Sequence, residues 1–208
     1  MDREKIENNR ETIEKDRLEN ISRKILVMAR NELYMKMRFL DVALSSLPFV
    51  LDTGAEGMGT DGLYLYYDPQ YLGGLFREDR VMVNRIYLHL VLHGIFRHMI
   101  RRKGRDERLY HLACDIVTES IIDEMQYRCV MKARSLPRRD MYRALKKEMK
   151  TLTAERVYEV LKKENLPEVK LGQLEADFRV DDHSYWPKDE DKKKQSQIEN
   201  QWQDISER

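Results

Sequence analysis

Apolar residues recur at helical spacing through most of this chain, and the pattern breaks in only a few places. Residues 3–36 read as one long helix whose first part is mostly charged. Its apolar positions Ile6, Ile13, Leu18, Ile21, Ile25 and Met28 return mostly at steps of three and four or their multiples, which predicts a solvated helix laying one stripe on the body. Between 47 and 67 the period changes: LPFVLD, a glycine- and aspartate-rich stretch and LYLYYD predict a small β-hairpin or two edge strands. Asp68-Pro69 then reads as an N-cap followed by proline at the first helical position, opening a short helix with Tyr71 and Leu72 that ends at Gly73-Gly74.

Residues 78–102 carry the strongest helical signal, apolar on most sides and therefore buried, ending in Arg101, Arg102 and Lys103 ahead of Gly104. Asp106 is placed to cap the next helix, 107–127. Further helices are expected over 138–149, opened by Pro137, and over 153–164. From about 181 the chain turns polar (DDHSYWPKDEDKKK) before a weak amphipathic pattern at Ile198, Trp202 and Ile205. The expected organisation is an N-terminal helical arm at 1–46, a central domain at 47–180, and a polar linker and helix at 181–208 leading toward a further C-terminal domain. The expected fold class is α+β, mostly helical, with a small hairpin or sheet beside the 78–102 helix.

Composition narrows the function classes. The chain has 208 residues, 36% of them charged, yet its net charge is only +1, so no global field recruits nucleic acid or an anionic membrane. No apolar run approaches the roughly 18 residues of a membrane span, and MDREKIENNR lacks the apolar core of a signal peptide. Cys114 and Cys129, the only cysteines, lie 15 positions apart without metal-type spacing, which fits a reducing compartment. The expected location is the cytoplasm. Arg97, Arg101, Arg102, Lys103, Arg105 and Arg108 cluster, with Lys132, Arg134, Arg138 and Arg139 elsewhere. Cations belong at a helix C-terminus in any case, and no nucleic-acid recognition motif accompanies them, so nucleic acid is not an expected partner.

The candidate chemistry is a histidine constellation: four of the five histidines fall between 89 and 111. At about 100° per residue, His89 and His93 lie about 40° apart on one helix face, the arrangement that offers two imidazoles to one zinc ion. His98 falls about 180° from His89 and joins the same ion only if the helix breaks near Gly94; otherwise it is a supporting or surface residue. A zinc site of catalytic type needs a third protein ligand. The next helix offers His111, Asp115 and Glu119, and Asp115 sits in the apolar context LACDIV, where an unpaired carboxylate is expensive. The expected ligands are His89, His93 and Asp115, with His98 as the weaker alternative. The competing reading makes the histidines ordinary hydrogen-bonded core residues and pairs Asp115 with Arg38 or Arg85.

Three segments, TDGLYLYYDPQYL (60–72), HLVLHGIFRH (89–98) and HLACDIVTES (111–120), together with the ending DDHSYW (181–186), resemble the bacterial metallopeptidase domain that precedes von Willebrand factor A-like domains. The resemblance implies a zincin-like fold with one Zn²⁺: an active-site helix bearing HExxH, a small sheet beside it, and a second helix carrying Ala-x-Asp. His89 and His93 match the metal histidines, His98 the trailing histidine, and Asp115 the aspartate. It also implies a neighbouring von Willebrand A-like domain and a MoxR-type AAA ATPase as partners. One departure matters: the family reads His-Glu where this chain reads His89-Leu90. That glutamate moves the proton in peptide hydrolysis, a contribution of about 10²–10⁴-fold, and leucine cannot. The expectation is a zinc-binding pseudoenzyme, with two alternatives: a non-catalytic protein-interaction module, and an active zinc peptidase in which Glu119 has become the general base. The hairpin around Tyr64–Tyr67 is expected to edge the cleft, where an extended peptide could add as a strand.

Overall fold

A computed structural model describes residues 2–207, with side chains described from Glu14 onward; Ile6 and Ile13 of the expected N-terminal stripe therefore lie outside the described side chains. Nine α-helices and one three-stranded sheet are present among the described residues, so the fold is α+β and mostly helical.

Helix α1 (Asp2–Lys36) buries Ile25, Leu26, Ala29 and Leu33, continued by Met37 just beyond its end. Of the described members of the expected stripe only Ile25 is buried; Leu18, Ile21 and Met28 face outward. The buried seam runs through Leu26, Ala29 and Leu33, a second set at three- and four-residue spacing that the isoleucines had masked. A 3₁₀ turn (Arg38–Leu40) and the short α2 (Asp41–Leu44) lead into the sheet.

Strands β1 (Phe49–Leu51), β2 (Met58–Thr60) and β3 (Leu65–Tyr67) are ordered β1-β3-β2, with β1 parallel and β2 antiparallel to β3. The Leu65–Tyr67 strand is thus central, not an edge; the edges are β1 and β2, and Gly59 of β2 bridges Asp182. Asp61 makes the tight β2–β3 turn, its Oδ1 accepting from the backbone N–H groups of Leu63 and Tyr64 at 2.9 and 2.8 Å. Asp68 caps α3 (Pro69–Glu78), accepting from the Tyr71 N–H at 2.7 Å. The helix runs through Gly73-Gly74 rather than stopping there. Neither glycine has a positive φ, and Leu72, Leu75 and Phe76 pack on the core, which outweighs the poor helix propensity of two glycines.

Helix α4 (Arg80–Phe96), capped by Asp79, is buried on all sides from Val83 to Gly94. It ends well before the expected 102: Arg97 adopts φ 56°, and a 3₁₀ turn (His98–Ile100) follows. Helix α5 (Glu107–Glu124) starts at the Asp106 cap as expected. Helices α6 (Leu136–Glu148) and α7 (Ala154–Glu164) open at Ser135 and Thr153 caps, close to the expected positions. Helix α8 (Glu168–Phe178), which has no counterpart among the expected elements, buries Leu171, Leu174 and Phe178.

Two apolar clusters result. One joins α1, the sheet, α3 and α4; the other joins α5, α6, α7 and α8. The stretch expected as a linker belongs to the body: α9 (Lys192–Ser206) buries Ile198 and Trp202 in the first cluster. Trp202 lies against Gly94 of α4, where a Cβ would come within 2.0 Å of the indole, and its Nε1–H donates to the Gly62 carbonyl at 2.8 Å. No helix among the described residues is long and apolar enough to cross a membrane.

Candidate metal centre

Helices α4 and α5 lie side by side where the two apolar clusters meet. His89 and His93 point from α4 and Asp115 from α5 toward one position. Two further side chains, Asp181 and His183, arrive from the segment after α8. One donor atom from each of the five lies within 4.8 Å of all the others, and all five residues are buried. Nε2 of His89 is 3.4 Å from Asp115 Oδ1, Nε2 of His93 is 3.3 Å from the same oxygen, and the two Nε2 atoms are 2.7 Å apart.

The polar accounting of this cluster calls for positive charge at its centre. Asp115 Oδ1, both Asp181 oxygens and His183 Nε2 are buried without a hydrogen-bond partner. Each such atom ordinarily costs about 1–3 kcal/mol. Burial alone would raise both carboxyl groups, but His183 holds Asp115 and Asp181 well below the usual carboxylate range, so both are anionic. Burial and the neighbouring His89 push His93 down to about 4, so its imidazole is neutral, the form that ligates metal. Burial opposes charge on His183 and His89 as well, but Asp115 and Asp181 outweigh it, raising His183 to about 10 and His89 above its usual value, so a bound ion would displace those protons. Imidazole nitrogens and carboxylate oxygens are the donor set that suits zinc and related divalent ions. The residues present therefore fit such an ion.

The far sides of the imidazoles are also arranged. His89 Nδ1–H donates to Glu119 Oε1 at 2.9 Å, which leaves the Nε2 lone pair facing the cluster. Glu119 Oε2 accepts from Arg85 Nη2 at 2.6 Å and Arg138 Nη1 at 2.5 Å. Arg85 extends the network to Asp123 Oδ1 at 2.7 Å, and Tyr142 donates to Asp123 Oδ2 at 3.0 Å. Burial opposes the charge on Glu119, but His89, Arg85 and Arg138 outweigh it and hold the carboxyl at about 2. Arg85 thus serves Glu119 and Asp123, not Asp115. His98 sits behind His93, the two Nδ1 atoms 2.8 Å apart. The left-handed turn at Arg97 brings it inward, onto the opposite nitrogen of His93 from the cluster. His111 is outside the five; its ring packs against His183 and Trp186, with centroids 4.7 Å from each.

A cleft of about 590 Å³ reaches this centre at Asp115 and His183, with His111, Arg108, Glu107 and Glu175 along its walls. The basic residues grouped in the sequence are largely paired: Arg97 with Glu199, Arg102 with Glu107 and Asp189, Arg108 with Glu168 and Glu175, Lys132 with Asp79.

Asp181 and His183 carry no periodic or spacing signal. What marked them in the sequence was the ending DDHSYW (181–186), which carries part of the family resemblance but gives neither residue a ligand role.

Fold and site together define a mostly helical α+β domain built around a buried histidine–aspartate cluster able to hold a metal. A family model described as "Putative metallopeptidase domain" matches residues 22–208, and the chain belongs to that family. The match takes in α9 and the 181–183 segment along with the helices that carry the other donors. No curated protein and no solved structure matches the chain.

Proposed function

We propose that this chain is a zinc-binding, zincin-like domain of metallopeptidase type whose hydrolytic power is impaired, with His89, His93 and Asp115 as core ligands. The observation that carries the metal is the set of unpartnered buried donors at one position. A divalent ion bound there would act as a Lewis acid toward a carbonyl and would acidify water. His89 presents Nε2 to it because Glu119 holds Nδ1; His93 is steadied in the same way by His98.

The impairment rests on Leu90. It is fully buried in the apolar cluster and has no group that can take up or deliver a proton. Glu119 is a poor substitute, since both its oxygens already accept hydrogen bonds and it lies on the Nδ1 side of His89, away from the other donors. We assign it an orienting role instead. Leu90 also favours a second reading, a non-catalytic module that engages protein partners, with a von Willebrand A-like domain and a MoxR-type AAA ATPase as the candidates that the family resemblance suggests.

Elemental analysis of purified protein tests the metal. The expected result is one zinc per chain in the wild type and none in His93→Ala; no metal in either returns the histidines to core packing. Against a broad peptide panel we expect no chelator-sensitive cleavage. Cleavage that disappears with chelator, and again in a Glu119→Gln variant that stays folded and keeps its zinc, would favour the relocated base.

A further inference from the structure

We infer that Asp181 and His183 complete the metal centre as its fourth and fifth protein donors, and that the ion's task in this chain is to fasten the segment 180–186 across the site. This rests on the metal reading above but goes beyond it, because it makes the centre closed.

The segment is pinned beside the site by a single bridge to β2, ahead of a 3₁₀ turn (His183–Tyr185). The Asp182 N–H donates to the Met58 carbonyl at 2.8 Å, and Asp182 bridges Gly59 in parallel on the edge of β2. Asp182 is extended (φ −102°, ψ 109°), and it caps the turn by accepting from the Ser184 N–H at 2.9 Å; the side chains on either side of it, Asp181 and His183, both reach the centre. The bridge and the turn together deliver a carboxylate and an imidazole to the centre. Gly59 makes the approach possible: a Cβ there would come within 2.5 Å of the Asp182 carbonyl oxygen and 2.7 Å of the Tyr185 ring. Beyond the donors, Tyr185 stacks on Tyr66 at 4.3 Å with an interplanar angle of 2°, and its hydroxyl donates to Asp52 Oδ2 at 2.7 Å. Trp186 covers the imidazoles, with centroids 4.0 Å from His183 and 5.1 Å from His93.

Three of the unpartnered buried atoms belong to these two residues. His183 Nε2 lies 3.1 Å from Asp115 Oδ1 and 3.0 Å from Asp181 Oδ1, on the same position that His89 and His93 face. Two carboxylates match the charge of a divalent ion, and five buried protein donors exceed the three that leave a catalytic zinc its open position. At Gly59 the β2 edge, where an extended peptide could otherwise add, is met by Asp182 of the chain itself.

The test uses the zinc-loaded wild type, Asp181→Asn, and His183→Phe, which keeps an aromatic ring against Trp186 but removes the nitrogen. In competition with a chromogenic chelator, each substitution should weaken zinc binding at least about tenfold, since loss even of groups that only support a ligand costs about 10–100-fold. Hydrogen exchange of the wild type, which needs no variant, should show residues 179–186 and β2 losing far more protection than α7 when zinc is stripped. Unchanged zinc affinity in both variants, protection of 179–186 indifferent to chelator, or uniform loosening of the whole domain would overturn the inference. A wild type that binds one zinc dependent on His93 would leave the simpler metal reading standing in that event. A wild type without zinc removes both.

Discussion

Glu119 shows how one side chain can be placed by its neighbours rather than by its position along a helix. From the sequence it is one turn past Asp115 and free to be a base. In three dimensions Arg85 from α4 and Arg138 from α6 converge on its Oε2, and His89 uses its Oε1. Removing one partner of a buried charged network costs about 3–5 kcal/mol, so Glu119→Gln should lower the unfolding free energy from denaturant titration by that order while the α-helical circular dichroism persists. The sign of the pH effect follows from the depressed carboxyl. The stabilisation is fully present above its ordinary value of 4.5 and is lost as pH falls from there through about 2. Unfolding followed from pH 7 downward should show this loss in the wild type and a shallower one in Glu119→Gln. Asp115 was legible as a candidate because a carboxylate inside LACDIV demands a partner, whichever partner that turned out to be.

At the scale of elements, helix type was readable and helix ends were not. The caps at Asp68, Asp106 and the α7 start follow from local chemistry and appear where the residues suggest. The end of α4 does not follow from local chemistry. Nothing near Arg97 is a usual left-handed residue; what holds it there is tertiary, its guanidinium bonding Glu199 and Ser206 of α9 while His98 is buried behind His93. The α4–α9 contact is correspondingly sensitive. Gly94→Ala would drive a methyl group into Trp202, and overpacking of this kind costs about 1–3 kcal/mol or more. We expect a lowered melting temperature and a changed tryptophan emission. Trp202→Ala, which empties the same contact and removes the bond to Gly62, should cost about 3–5 kcal/mol in chemical denaturation.

For the whole molecule, the candidate centre lies between two apolar clusters, so an ion bound there would couple them. With zinc present at about a thousand times its dissociation constant, binding contributes about 4 kcal/mol. At roughly 2–4 °C per kcal/mol for a chain of this size, chelation should lower the melting temperature by about 10 °C, and added zinc should restore it. The paired basic residues lead to a different expectation: no mobility shift with generic duplex at moderate salt, where an unpaired basic face would give one that fades as salt rises.

The sequence by itself determined the mostly helical class, the pair of imidazoles one turn apart and the leucine that follows the first of them at position 90, because helical period and residue identity are local facts. Only the tertiary structure decided that Asp181 and His183 join them, that Glu119 faces arginines, and that α9 closes on Gly94. Those outcomes depend on contacts between segments tens of residues apart, and no periodicity along a single chain encodes which distant strand edge a polar segment will find.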